Sequence, residues 1–499
     1  MKHKNSLILG IIFVVVLALR LVIAFQTPDL TYDGYFVLRN VESITESGLP
    51  LFSDDLSYSG RSNVFSPLYY YVLALFSFVF SPIFVLKVLP NVFAASTIFV
   101  VFLFARRLSK NDVAALISAG STGVIPVFFS HTINNASVYS LVIPLFFLCL
   151  YFFLKTVSAS RHLWKFVVCA LALTLSHPSS LILLLGLLLY VVLLNVQGFK
   201  KSVKESELLL FSLFLIVWAN LIIYSRAISM HGSSIIYQNT PVQILLDFFK
   251  EITFVESLYW LGVIPLLFGV ITIYDSVFSS KSKQVSALIS VCLTFFLLLW
   301  FRLINLYVGL MFLGVTMSIL SSKAFSKALV FGRNLKFGYA NFFIVLLLVF
   351  LMVSPFVPSI SYSLQEASNG PSREDLRAFD WIRNNTSENS TVLAFPKEGF
   401  ALSYYSGRQN VMDKSFLLIQ NIDMRYRDVE KIYEDRFLIP ALTKLNYYSV
   451  DYILLSEHAR TNRGVSDLFY EDGDCIKRVY DVNKTSGPLI FSVNCVVRG

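Results

Sequence analysis

Residues 66–82 read S-P-L-Y-Y-Y-V-L-A-L-F-S-F-V-F-S-P. Whether this run crosses a membrane decides the fold. It is apolar, rich in Tyr and Phe, and bracketed by Pro67 and Pro82. Around it, apolar segments recur near 6–25, 85–105, 113–130, 138–154, 163–176, 179–196, 208–225, 257–275, 285–301, 303–320 and 338–357. A run of about 18 apolar residues suits a helix spanning hydrocarbon ~30 Å thick. The chain has 499 residues, 56% hydrophobic and only 15% charged, with mean hydropathy +0.66. Those values describe a polytopic α-helical membrane protein. The first segment follows Lys2 and Lys4, and no small-residue cleavage site comes after it, so it reads as an uncleaved anchor.

Charge decides the role of 66–82. If that segment stays on one side, eleven spans remain. The dense basic clusters then share a face: Lys2/Lys4, Arg106/Arg107/Lys110, Lys155/Arg161/Lys165, Lys200/Lys201/Lys204, Lys281/Lys283 and Lys323/Lys327/Arg333/Lys336. The opposite loops and span ends hold only Arg39, Arg61, Lys87, Arg226, Lys250 and Arg302. A crossing at 66–82 would send the later clusters outside, against the bias of Lys and Arg towards the cytoplasm. The segment therefore reads as a juxtamembrane or re-entrant helix on the outer face, with its aromatic residues at interfacial depth. The amino terminus is then cytoplasmic and the tail after Pro358 extracytoplasmic. The net charge of +9 is accounted for by these clusters, and nothing in it points to nucleic acid.

Two domains follow: a transmembrane module over 1–358, with an external loop at 26–84, and a soluble α/β domain over 359–499. The tail holds 17 of the 41 Lys and Arg residues and 19 of the 32 Asp and Glu residues. Ser372-Arg-Glu-Asp375 has the form of a capping box opening a helix through Trp381. Residues 391–395, 450–455, 476–482 and 489–493 read as strands, with a charged helix near 423–437. Sequons at Asn384, Asn385, Asn389 and Asn483 fit an external location. Cys475 and Cys495 are either one disulfide or two buried thiols. Cys149, Cys169 and Cys292 read as packing residues within spans.

The polar residues of the outer face are the candidates for chemistry. Asp33, in T-Y-D-G-Y-F-V-L-R-N, lies just beyond the first span. It is either a solvated loop residue or helix cap, or a general base in a partly buried cleft, where a raised pKa would suit proton removal from an acceptor hydroxyl. Tyr35, Leu38 and Arg39 extend a helix from it. Arg39 and Arg61 are candidate phosphate ligands, because guanidinium matches phosphate bidentately. The alternative is surface arginines. Arg302 is the single charge of the hairpin F-F-L-L-L-W-F-R-L-I-N-L-Y, either a lipid-phosphate ligand or an interfacial anchor. Tyr35, Tyr58, His131, Asn134 and His177 could meet sugar hydroxyls, although capping is the stronger reading for the last three. Asp54 and Asp55 read as solvated carboxylates of the G-L-P-L-F-S-D-D spacer.

Among these motifs, Y-D-G-Y-F-V-L-R (32–39), Y-S-G-R-S-N-V-F-S-P-L-Y-Y-Y-V-L-A (58–74) and F-L-F-A-R-R-L-S (102–109) resemble the amino-terminal module of the GT-C superfamily of membrane glycosyltransferases. The likeness extends to the protein mannosyltransferase, aminoarabinose transferase and archaeal oligosaccharyltransferase-like branches. L-S-H-P-S-S (175–180) is similar to a His-Pro turn of prokaryotic members. The stretch L-R-A-F-D-W-I-R-N-N-T-S-E-N-S-T-V-L-A-F (376–395) is similar to their entry into a soluble domain. The resemblance covers about 1–200 and 370–415. It implies a polyprenyl-phosphate (dolichyl-phosphate-type) sugar donor, a glycan, lipid or protein acceptor, an inverting reaction and surrounding membrane lipids.

Two departures qualify it. F-P-K-E-G-F (395–400) stands where oligosaccharyltransferases carry W-W-D-Y-G. The loop H-T-I-N-N-A-S (131–137) also lacks the second acid of metal-dependent members. A metal-independent reaction is therefore favoured, with a divalent cation as the alternative. No nucleotide-binding, zinc or redox motif is present. The competing reading is a non-catalytic membrane protein: a lipid-linked-glycan transporter, or an assembly scaffold with a carbohydrate-binding tail.

Overall fold

The structure, a computed structural model, describes residues 2–247, 253–334, 339–462, 464–481 and 487–496. Lys250, Lys336, Asn483 and the end of the expected strand at 482 lie outside the described residues.

Two compact units are present, and they do not follow chain order. The first comprises 1–28, 65–225 and 247–368; the second comprises 29–64, 226–246 and 369–499. The loop after the first helix thus belongs to the same unit as the tail.

The first unit is helical. Among the described residues, seven helices are long and apolar enough to span a bilayer: Lys2–Ala24, Pro82–Ser109, Tyr139–Ser158, Ser179–Val196, Val203–His231, Lys283–Trp300 and Leu306–Asn334. An eighth candidate is broken. Phe254–Leu261 and Val263–Phe278 meet at 89° across Gly262, whose φ of +82° favours glycine. The expected spans at 113–130, 163–176 and 338–357 contain helices of fewer than 18 residues: Asp112–Gly123 with Pro126–Ser130, Leu163–Ser176 and Ala340–Val353. Residues Leu68–Ser77 of the opening segment form a 10-residue helix. At 1.5 Å per residue it reaches about 15 Å, half the hydrocarbon thickness.

Small residues let these helices approach closely. A Cβ on Gly269 would lie 2.8 Å from Met317 Sδ, so Val263–Phe278 packs tightly on Leu306–Asn334. Elsewhere the core is aromatic. Phe295 stacks on Phe312 at 4.5 Å between centroids, and Phe146 meets Phe312 at 4.9 Å.

The second unit holds both sheets. A short hairpin pairs β1 (Ser53–Asp54) with β2 (Arg61–Ser62). A five-stranded mixed sheet contains β3 (Thr391–Leu393), β4 (Gln409–Asn410), β5 (Tyr452–Leu455), β6 (Ile476–Asp481) and β7 (Leu489–Val493), in the order β4-β3-β5-β7-β6. β3 is parallel to β4 and β5, while β7 runs antiparallel to β5 and β6. The burial of β3 and β5 matches their apolar sequences, since parallel strands are covered on both faces. Ser372 and Asp375 form the expected capping box at the head of Arg373–Asn385. Ile422–Glu434 is the expected charged helix. Cys475 and Cys495 form a disulfide.

Candidate functional site

The candidate residues divide between the units. Asp33, Tyr35, Arg39, Tyr58 and Arg61 belong to the second; His131, Asn134, His177 and Arg302 belong to the first.

In the second unit, Gly34–Ser47 begins directly after Asp33. The Asp33 side chain makes no capping hydrogen bond. It is half exposed and takes both carboxylate oxygens to the ammonium of Lys414, at 2.8 and 3.0 Å. The helix-cap reading therefore lacks its hydrogen bond, the solvated-loop reading keeps its exposure, and the carboxylate acquires a cation that sequence reading missed. Nothing in the run M-D-K-S marks Lys414, because its partner is 381 residues away.

Tyr35 is buried. Its hydroxyl lies 2.9 Å from that of Tyr405, which donates to Asp29 at 3.1 Å. Tyr404 donates to Glu42 at 3.1 Å. Two successive tyrosines of Gly399–Ser406 thus hold the helix that starts at Asp33.

Arg39 forms a bidentate ion pair with Asp54, at 2.6 and 2.9 Å, with both side chains largely buried. This corrects the reading of Asp54 as a solvated carboxylate: a buried cation is matched by a buried anion. Asp55, next to it, is exposed as expected.

Arg61 donates to the Ser415 carbonyl and to Asn63 Oδ1, and its guanidinium lies 5.2 Å from the Tyr58 ring centroid. Tyr58 is buried in the left-handed region, with φ of +54°. Its hydroxyl donates to the Asp413 carbonyl at 2.6 Å, and its N–H to Asn410 Oδ1 at 3.1 Å. Asp413, fully buried, accepts from Ser57 Oγ at 2.5 Å and from the Ser415 N–H at 2.9 Å. Burial raises its carboxyl above the usual range, while Arg61 opposes the rise. Tyr58 and Arg61 therefore hold the hairpin loop to the 410–415 segment.

A second acid sits nearby in the sequence. Glu398 is fully buried and accepts from Ser456 Oγ. Burial, and then the charge of Asp375, pushes its carboxyl up to about 8.

In the first unit, His131 packs against the Tyr307 ring at 4.0 Å and the Trp260 ring at 5.5 Å. Trp260 stacks on Tyr362 at 4.1 Å. Tyr307 opens the helix that follows Arg302, so His131 and that hairpin share an aromatic cluster. Arg302 is exposed, in a left-handed turn with φ of +55°. Asn134 is buried and donates to Thr27 Oγ1 at 3.1 Å and to the Ala367 carbonyl at 3.3 Å. His177 Nδ1 accepts from the Ser179 N–H at 3.1 Å, capping the helix that starts there. The structural readings of Asn134 and His177 thus have their contacts.

Two cations of this unit are buried: Arg20, which the charge reading passed over, and Lys87, which it placed at a span end. Arg20 donates to Asn91 Oδ1 at 2.9 Å and to Thr132 Oγ1 at 2.5 Å, and faces the Phe129 ring at 4.8 Å. Lys87 donates to the Ala24 carbonyl at 3.0 Å and to that of Thr27. Single cations within apolar runs are the signal that marks such positions. Among the described residues, no group of three or more His, Cys, Asp or Glu residues is placed to hold a metal ion.

No protein-family model and no curated protein matches the sequence. Solved structures do match. The apo oligosaccharyltransferase of Archaeoglobus fulgidus aligns with a TM-score of 0.72 at 14% identity, covering 94% of this chain and 72% of that one. AglB from the same organism, in complex with an inhibitory peptide and a dolichol-phosphate, gives 0.67 at 14% identity, over 94% and 71%. ArnT from Cupriavidus metallidurans, bound to undecaprenyl phosphate, gives 0.58 at 13% identity, over 97% of each chain. At such identities the likeness is one of fold, and with its long apolar helices it makes this chain a multi-pass membrane protein with the fold of the GT-C glycosyltransferases.

Proposed function

We propose that the protein is a glycosyltransferase that moves a sugar from a polyprenyl-phosphate carrier to an acceptor hydroxyl at the outer membrane face, with inversion. The observation that carries this reading is a fold shared with two proteins whose structures hold dolichol-phosphate and undecaprenyl phosphate. Asp33 is the general base. Its half-exposed carboxylate, paired with the partly exposed ammonium of Lys414, is open to an incoming hydroxyl. The acceptor oxygen attacks the anomeric carbon, the bond to the phosphate oxygen breaks, and Asp33 takes the hydroxyl proton. Of the three arginines, Arg302 is the one whose side chain is exposed, and the donor phosphate is assigned to it. A guanidinium offsets the charge that develops on the leaving phosphate, so the reaction needs no metal. The acceptor is a glycan, a lipid or a protein.

The same reading assigns eleven spans, a cytoplasmic amino terminus, and an extracytoplasmic α/β domain over 359–499. A disulfide at Cys475–Cys495 supports that side, since reducing compartments keep thiols apart. The deciding experiment incubates purified protein in detergent with a panel of polyprenyl-phosphate sugars. Turnover or hydrolysis of one donor is expected. Tight donor binding with no turnover across the panel would replace the enzyme by a transporter or scaffold.

A further inference from the structure

The basic face of the first unit carries a cavity lined by none of the candidate site residues. It has a volume of about 430 Å³, and its lining includes Arg106, Arg107, Tyr151, Lys155, Arg161 and His162. These residues come from the last turns of Pro82–Ser109 and Tyr139–Ser158 and from the short turn that follows.

Four cations around one cavity repel each other, so their partners matter. Arg106 is compensated by Asp112 at 2.7 Å. The others have neutral partners among the described residues. Arg107 donates to the Leu154 carbonyl and to Ser158 Oγ, both at 3.1 Å. Lys155 lies 5.4 Å from the Tyr151 ring centroid, and Arg161 Nε donates to His162 Nε2 at 3.3 Å. Three positive charges thus converge without an acid.

His162 lines the same cavity. Its side chain is only 9% exposed, and Nδ1 is buried with no hydrogen-bond partner. Because Nε2 accepts from Arg161, the proton of the neutral ring is on Nδ1. Burial, then the charges of Lys155, Arg161, Lys165 and Arg107, keep this imidazole below its ordinary pKa and hence neutral. His162 thus adds no fourth charge to the three, and an anionic oxygen in the cavity would offset them.

The surroundings favour a lipid as the source of that oxygen. Leu163 and Trp164 next to the cavity are 45% and 63% exposed, and Lys165 lies 5.4 Å from the Trp164 ring. Exposed Trp beside Lys is the pattern of a membrane interface. Basic pockets between transmembrane helices on the cytoplasmic side take phosphate headgroups.

We propose that this cavity binds the phosphodiester headgroup of an anionic phospholipid of the cytoplasmic leaflet. The site is independent of the glycosyltransferase reading and needs neither a sugar donor nor Asp33.

The test uses the full chain in neutral detergent, titrated with phosphatidylglycerol or phosphatidylcholine. Retained lipid is counted by native mass spectrometry, alongside the thermal midpoint. One phosphatidylglycerol should be retained per chain, and phosphatidylcholine should not replace it. K155Q/R161Q, which removes no contact to the backbone, should weaken retention about tenfold or more. K200Q/K201Q, an equal charge loss elsewhere on the basic face, should not. Equal retention by the parent and K155Q/R161Q would overturn the site. So would a loss matched by K200Q/K201Q, which would mark general surface attraction. Displacement of the lipid by inorganic phosphate would reassign the cavity to a soluble phosphate ligand and overturn the lipid assignment.

Discussion

Asp33 and Glu398 are carboxylates of one unit in opposite surroundings, and each surrounding predicts a measurement. Asp33 is half exposed beside Lys414. If it is the general base, Asp33→Asn keeps its size but cannot take the proton. Turnover should then fall by about 10²–10⁴-fold with donor binding little changed. Asp55→Asn, at an exposed position, is the matched control and should leave turnover near the parent's. A folded Asp33→Asn protein within about threefold of the parent, far short of a general-base effect, would remove Asp33 from the chemistry. In the same assay, activity should survive EDTA. Loss on chelation, restored by Mn²⁺ or Mg²⁺, would mean that the leaving phosphate is neutralised by metal and not by arginine. Glu398 predicts a pH effect on stability. Its folded pKa of about 8 lies above the ordinary 4.5, so folding binds a proton. That contribution is fully present below about 4.5 and is lost as pH rises through 8. The thermal midpoint should therefore fall between pH 5 and 8, and Glu398→Gln should flatten the fall. Parallel midpoint curves for the two proteins would rule out Glu398 as the titrating group.

At the scale of elements, the Arg39–Asp54 pair ties the helix Gly34–Ser47 to β1, and both partners are buried. Removing one charge strands the other, at a cost of order 3 kcal/mol. Asp54→Asn should thus lower the thermal midpoint by several degrees, while Asp55→Asn should leave it unchanged. Equal midpoints for Asp54→Asn and the parent would show that water reaches Arg39. The pair also shows where sequence reading stops. The seven long helices were legible because hydrophobic length is local, and β3, β5, β6 and β7 because short strand-forming runs sit between turn residues. The helix beginning after Asp33 was legible from Y-F-V-L-R. Asp54 was not, since burial depends on which residue lies opposite. β4 has only two residues, Gln409 and Asn410, and carries no pattern. The Asp33–Lys414 and Tyr58–Asp413 contacts join residues more than 350 positions apart, a separation that neither propensity nor periodicity encodes.

For the whole molecule, the open question is parity. An odd number of crossings puts the tail opposite the amino terminus, and an even number puts them together. Seven long helices alone would give an odd count, and adding only the broken pair at Gly262 would give an even one. The eleven-span reading also needs the helices Asp112–Gly123, Leu163–Ser176 and Ala340–Val353 to cross with their flanking residues. A helix of 14 residues reaches about 21 Å, so a crossing there must use the turns at its ends. Helix Asp112–Gly123, buried from Ala114 onward, meets that condition inside the bundle, where protein replaces lipid around the break before Pro126. On the proposed reading positive charge sets the direction, with the clusters from Lys2 to Lys327 facing the cytoplasm. Single cysteines test this directly. Native Cys149, Cys169 and Cys292 are buried, and Cys475 is bonded to Cys495, so the background is low. On intact cells, Ser466→Cys, at an exposed position of the tail, should react with an impermeant maleimide. Ser282→Cys, between Val263–Phe278 and Lys283–Trp300, should react only after the membrane is opened. Labelling of Ser282→Cys alone would invert the protein, placing the tail and Asp33's loop in the cytoplasm. Labelling of both would give an even number of crossings between them and the tail, and would remove one of the short spans from the count.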